Sequence, residues 1–286
     1  MATGTPEPVS ELEAQREEIV DALAKAHPLG VQHACRVCVS YRPLPEHNPP
    51  HPSHTTQLQS GDFIHFKMPY NADWWIGRVV GHETGMTFVP SEAKLMSVRS
   101  DAGDECVKVY QQAPVMRPLV LLGPTSKESE LTRLLHKPLL SYIREKFSGR
   151  LLTIKPDQSV RSMTAKEIRL LDGDVFAAAS TMNLVLLDSD ASYPGDFEGT
   201  KLHPQFIYVK ISRQKVLHNL IRQLTKSSRD QQIQVEDARY LYDNSSNCSL
   251  VITDSNVDDA CLNLELFLES YWASTRSVML LGGGVS

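Results

Sequence analysis

Residues able to do chemistry gather at three places in this 286-residue chain. The first is Gly123-Pro124-Thr125-Ser126-Lys127-Glu128-Ser129, directly after the apolar run Leu119 to Leu122. A strand running into a glycine turn is where a loop of the form GxxxxGK[ST] would cradle phosphate, using backbone amides, a lysine and a magnesium-holding hydroxyl. The second glycine and the GK pair are absent here, and Glu128 puts a negative charge where an anion would sit, so repulsion replaces the cradle. Asp188 and Asp190 follow Leu184 to Leu187 like a magnesium-binding acid, but without a phosphate loop they read as turn residues. The second place is His33, Cys35 and Cys38, half of a zinc site or a redox pair by spacing. No second CxxC or HxxxH follows at a suitable distance, so these cysteines read as small apolar residues. The third place is apolar. Val216, Leu217, Leu220, Ile221 and Leu224 recur at i, i+1, i+4, i+5 and i+8, a stripe too broad for one narrow core contact, and part of it is expected to stay exposed.

Composition limits what these residues can serve. Hydrophobic residues make up 41% of the chain and charged residues 22%, which is typical of folded chains and argues against disorder. At about 150 residues per domain, two domains are expected. A formal net charge of −5 provides no basic field for nucleic acid or anionic lipid. The longest apolar runs fall far short of the roughly 20 residues of a membrane helix. The acidic N-terminus lacks the basic flank and apolar stretch of an export signal, so the five cysteines are expected to be reduced thiols of a cytosolic protein.

The elements that must position these groups fall into two textures. Ser10 with Glu13 has capping-box spacing, and Leu12, Ile19, Leu23 and Ala26 predict a helix stopped by Pro28 and Gly30. Cys35 to Tyr41 alternates as a strand, and Pro43 to Gln59 reads as a surface loop. Asp62 to Lys67, Trp74 to Val80 and Met86 to Val89 predict short strands of a small antiparallel barrel. Arg99 to Glu105 reads as a connector and Val107 to Tyr110 as another strand. Beyond Pro114, strands at 119–122, 151–154, 184–187, 206–211 and 250–252 alternate with helices at 131–147, 213–224 and 257–272. That alternation predicts a mostly parallel sheet covered by helices, with Pro138 kinking the first helix or sitting near its start.

Tyr41, Trp74-Trp75 followed by Gly77-Arg78, and Gly85 before Phe88-Val89-Pro90-Ser91 resemble a Src-homology-3 domain, whose aromatic groove would take a proline-rich segment. The acidic loop residues that accompany such a groove are not evident between Tyr41 and Gly61. The α/β half resembles a guanylate kinase domain. Tyr70-Asn71-Ala72-Asp73-Trp74-Trp75-Ile76-Gly77-Arg78, Met116-Arg117-Pro118 leading into Leu122-Gly123-Pro124, Lys215-Val216-Leu217, and Asp259-Ala260-Cys261 with Tyr271-Trp272 are together similar to the voltage-gated calcium channel β subunits, over about residues 10–274.

That resemblance implies an α+β multidomain chain: residues 10–112 as N-terminal helix, Src-homology-3-like barrel and connector, 113–274 as guanylate-kinase-like domain, and 275–286 as a tail. It further implies a monomeric, non-catalytic cytoplasmic subunit without cofactor or metal, held at the inner face of the plasma membrane through the channel. Its partner would be the I–II linker helix of the pore-forming subunit, and its role to promote surface expression and modulate gating. By the same resemblance, Val216 and Leu220 face the helix with Leu217 beside them, Leu134 and Leu135 form a second wall, and Ser255, Asn256, Val257 and Asp258 form the rim, where Ser255 replaces an amide. Ser255 with Asp258 also has helix-capping spacing. Two features depart from the family: residues 150–190 form a shorter stretch than their counterpart, and the connector between the domains is short. A general adaptor binding proline-rich or other peptides is the alternative, and an active nucleotide kinase a more remote one.

Overall fold

The computed structural model describes residues 8–82, 85–101, 108–155, 168, 170–189, 191–253 and 256–276. Ser255, Asp190, the connector at 102–107 and the segment 277–286 lie outside these, as do the side chains of Ser10 and Leu12. The chain divides into two compact units, residues 1–113 and 114–286.

The first unit is a five-stranded antiparallel sheet in the order β4-β3-β2-β1-β5, with β1 at His33–Val37, β2 at Phe63–Pro69, β3 at Trp74–Val79, β4 at Thr87–Pro90 and β5 at Tyr110–Ala113. Helix α1 (Pro8–Ala26) precedes it, and α2 (Glu92–Asp101) follows β4. Ile64, Phe66, Trp74, Ile76 and Phe88 fill the core, consistent with strands whose alternate residues face one interior. Gly77 is required because a Cβ there would meet the His65 carbonyl oxygen at 2.6 Å across the β2–β3 pair.

Three expectations change here. The first strand is shifted to His33–Val37, and Tyr41 only bridges to Leu58. The strand expected at 107–110 runs instead from Tyr110 to Ala113. Arg99 belongs to α2, a helix whose weak amphipathic pattern left no readable stripe. The 43–59 segment is irregular as expected and is anchored, because Leu58 is buried and Thr55 bridges to Phe88.

The second unit is a parallel sheet in the order β10-β9-β6-β8-β7, with β6 at Leu119–Leu122, β7 at Leu151–Ile154, β8 at Leu184–Leu187, β9 at Gln205–Val209 and β10 at Leu250–Ile252. Its helices are α3 (Glu130–Lys146), α4 (Asp172–Ser180), α5 (Gln214–Leu224), α6 (Ser228–Asp243) and α7 (Val257–Arg276). All four residues of β6 and of β8 are buried, as befits strands covered on both faces, whereas β7 at the edge exposes Leu152 and Thr153. A small antiparallel unit followed by an α/β unit with a parallel sheet, the order expected from the sequence, is therefore the architecture.

Pro138 lies inside helix α3 rather than near a helix start, and its missing N–H leaves the Leu134 carbonyl without its helical donor. Two helices of this unit were not anticipated. α6 buries only Gln234, Ala238 and Leu241, and α4 only Val175 and Ala179, too few apolar positions to set a 3.6-residue period.

Candidate functional site

The loop after β6 is closed by its own side chains. Gly123 takes φ +75° beneath Tyr208, whose ring lies where a Cβ would be. The Thr125 N–H donates to Thr132 Oγ1 (3.2 Å), the Lys127 N–H to Ser192 Oγ (3.0 Å) and the Ser129 N–H to the Ser126 carbonyl (3.1 Å). The Lys127 ammonium donates to the Ser189 carbonyl at 2.6 Å. Ser129 then caps α3 by accepting the Thr132 N–H at 3.1 Å. Amides of the kind that bind phosphate in such a turn are thus already paired within the protein. Asp188 accepts from Arg144 at 2.9 Å and lies 3.6 Å from Lys155, so it serves ion pairs.

An apolar face lies open on the other side of α3. Leu131 and Leu135 of α3 pack with Leu217, Leu220 and Ile221 of α5 in a small cluster beside the main core, which Leu135 also touches. Leu134 is 49% exposed and Val216 37% exposed, each about one residue around its helix from that cluster. Leu217 is 3% exposed, a correction to its assignment as a partner-contact residue: it lies on the buried side of α5 as the floor of the face.

Helix α7 runs parallel to the later turns of α3. The Tyr142 hydroxyl donates to Glu265, Lys146 pairs with Glu265 at 2.9 Å, and Arg150 makes a two-pronged contact with Glu269 at 2.7 and 3.0 Å. Val257 is in helical phase with the buried Ala260, Leu264 and Tyr271, yet it is 52% exposed. Among the described residues, none covers that half of Val257. Asn256 and Asp258 are exposed beside it, and the Asn256 side-chain oxygen accepts the Asp258 N–H at 2.8 Å, an Asx cap that uses one of the expected rim acceptors.

The expected proline-binding aromatics are differently placed. Trp74 is 2% and Tyr41 4% exposed, and Tyr41 stacks at 5.5 Å on His47 of the 43–59 segment. That segment is fastened over the sheet by the Thr87 hydroxyl on the His54 carbonyl (2.7 Å) and the Thr56 N–H on the Phe88 carbonyl (3.3 Å). Burial pushes the Cys35 thiol up to about 11, which keeps it protonated and unreactive.

Two comparisons with known proteins find similarities to this chain. A solved structure of the SH3-kinase fragment of tight junction protein 3, in its apo form, is similar at 15% identity and a TM-score of 0.38, covering 85% of this chain and 96% of that one. The guanylate kinase family model matches residues 173–271, the part of the second unit that carries α4 to α7.

Proposed function

We propose that this protein is a non-catalytic protein-interaction module whose guanylate-kinase-like unit holds an amphipathic helix against Leu134, Leu135, Val216, Leu220 and Val257. The carrying observation is the bare Leu134 on α3 and Val216 on α5, each one residue round its helix from the packed cluster, together with the half-exposed Val257 that opens α7. A helix inserting apolar side chains at i, i+4 and i+7 would cover such a face, with Asn256 and Asp258 at its edge. The internally paired loop at Gly123 supports the absence of phosphoryl transfer, since a kinase needs those amides for the nucleotide.

Motif resemblance names a finer partner, the I–II linker helix of a voltage-gated calcium channel's pore-forming subunit. Through it the protein would sit under the plasma membrane, assist surface expression and modulate gating. Titration calorimetry tests both levels. A linker-helix peptide should bind and lose affinity at least tenfold with Val216→Asp, while guanosine monophosphate with ATP gives neither heat nor turnover. Nucleotide turnover would sink the non-catalytic reading; undiminished peptide binding by Val216→Asp would sink the groove.

A further inference from the structure

Charge is unevenly spread along this chain. Its formal net charge is −5, yet from Gly199 to Arg229 the sequence holds no aspartate or glutamate. Arg213, Lys215, Arg222, Lys226 and Arg229 fall in that stretch, on α5, its flanks and the first turn of α6. All five are exposed. Among the described residues, none of the five takes part in an ion pair or a ring contact, whereas Arg144, Lys146 and Arg150, at the end of α3, are each held by a carboxylate.

Helical geometry sets these cations in a row. Lys215, Asn219 and Arg222 are spaced i, i+4 and i+7, so they share one face of α5, across the helix from the buried Leu217. A rise of 1.5 Å per residue puts Lys215 and Arg222 about 10 Å apart along the axis, and Lys226 and Arg229 carry the row past the end of the helix. Helix α6 contributes two carboxylates near it: Asp230, directly after Arg229, and Glu236, which lines a recess of about 390 Å³ together with Arg222 and His218. Glu236 already accepts from the Gln232 amide at 3.1 Å. This side of the second unit is therefore locally positive on a chain that is negative as a whole.

We infer that this row is a docking surface for an anionic membrane, with its cations lying among the headgroups of acidic phospholipids. A flat negative surface meets a straight row of cations on the convex side of a helix, and each Lys or Arg near such a leaflet raises partitioning about fivefold. The contact is electrostatic, because Asn219 and Gln223 share that side and no apolar side chain there is placed to enter the hydrocarbon. Two other anionic partners fit less well. Single-stranded nucleic acid is gripped by aromatic side chains set between cations, and this row has none. An acidic peptide seated in the recess would meet Glu236 in its wall. The row is distinct from the helix-binding face, since Lys215 and Arg222 lie across α5 from the leucines that pack on α3.

The test is co-sedimentation of the whole chain with vesicles of equal parts phosphatidylserine and phosphatidylcholine, against vesicles of phosphatidylcholine alone. Only the anionic vesicles are expected to carry the protein down, and the bound fraction should vanish between about 0.1 M and 1 M salt as the screening length falls from about 10 to 3 Å. Arg222→Gln, Lys226→Gln and Arg229→Gln combined should weaken partitioning about a hundredfold. Arg133→Gln with Lys137→Gln, exposed cations of α3, should leave it within about twofold. The triple variant's melting midpoint and helix-peptide affinity, both expected to be unchanged, separate a lost lipid contact from a misfolded chain or a lost groove. Equal sedimentation with both vesicles, binding that survives 1 M salt, or a triple variant that still partitions fully would overturn the inference. So would poly-glutamate binding as tightly as the anionic vesicles, which would make the partner an acidic protein segment.

Discussion

Truncating Leu134 and Leu217 separately distinguishes an open binding face from ordinary core packing, because the two leucines lie on neighbouring helices at one cluster with opposite exposure. Full burial of a leucine side chain is worth about 2 to 3 kcal/mol. Leu134 has 49% of its surface bare, so a docked helix has about 1 to 1.5 kcal/mol left to gain from it, and Leu134→Ala should weaken peptide binding about five- to tenfold. The same change should barely move the melting midpoint of the free protein, since alanine is the better helix former and little packing is lost. Leu217 is 3% exposed beneath Leu131 and Ile221, so Leu217→Ala should cost about 2 to 4 kcal/mol of stability through lost transfer energy and a residual cavity. Calorimetric titration with a linker-helix peptide and thermal melts on each variant give the four numbers. If Leu134→Ala destabilised the protein as much as Leu217→Ala, or left peptide affinity intact, the open-face reasoning would fail.

Three further outcomes follow from the geometry. Ser129→Ala removes the α3 cap and one partner of the buried Thr125–Thr132 network, and denaturant melts should register a loss of about 1 to 2 kcal/mol. His136 is held neutral with a folded pKa near 4, below the unfolded value near 6.5, so the unfolded chain binds the proton first. Stability should therefore be undiminished above about pH 6.5 and fall as pH drops from there towards 4, a loss that His136→Asn should flatten in pH-dependent melts. The Tyr142 hydroxyl and then the Lys146 ammonium hold the Glu265 carboxyl below the usual carboxylate range. NMR titration of Tyr142→Phe should show that carboxyl moving back up, and an unchanged midpoint would remove the tyrosine as the cause.

Much of the frame was legible without coordinates, for reasons particular to its elements. Leu119 to Leu122 and Leu184 to Leu187 read as strands because a parallel strand covered on both faces is apolar at every position, and both are buried throughout. Trp74 to Val79 and its neighbours read as barrel strands from aromatic and β-branched runs between turn residues. Helix α5 showed itself through a strong apolar stripe. The absence of a second glycine after Gly123 pointed to a loop unlike a phosphate cradle, and only the structure showed its amides paired within the protein by the Thr125–Thr132 and Lys127–Ser192 bonds. Helices α2, α4 and α6 escaped because their few buried positions do not repeat often enough to outweigh a polar surface.

Residue order along the chain determined most of the strands, the long amphipathic helices and that β6 would end in a turn without a second glycine or a GK pair, because backbone propensity, apolar period and glycine spacing are local quantities. Only the tertiary structure decided that Leu217 is floor while Leu134 and Val216 are open, and that Trp74 and Tyr41 are buried in the barrel. It alone set α7 beside the later turns of α3, and it alone buried His136 with an unpartnered Nε2. Exposure depends on what other elements cover, and the elements that meet at α3 come from positions more than a hundred residues apart in the chain.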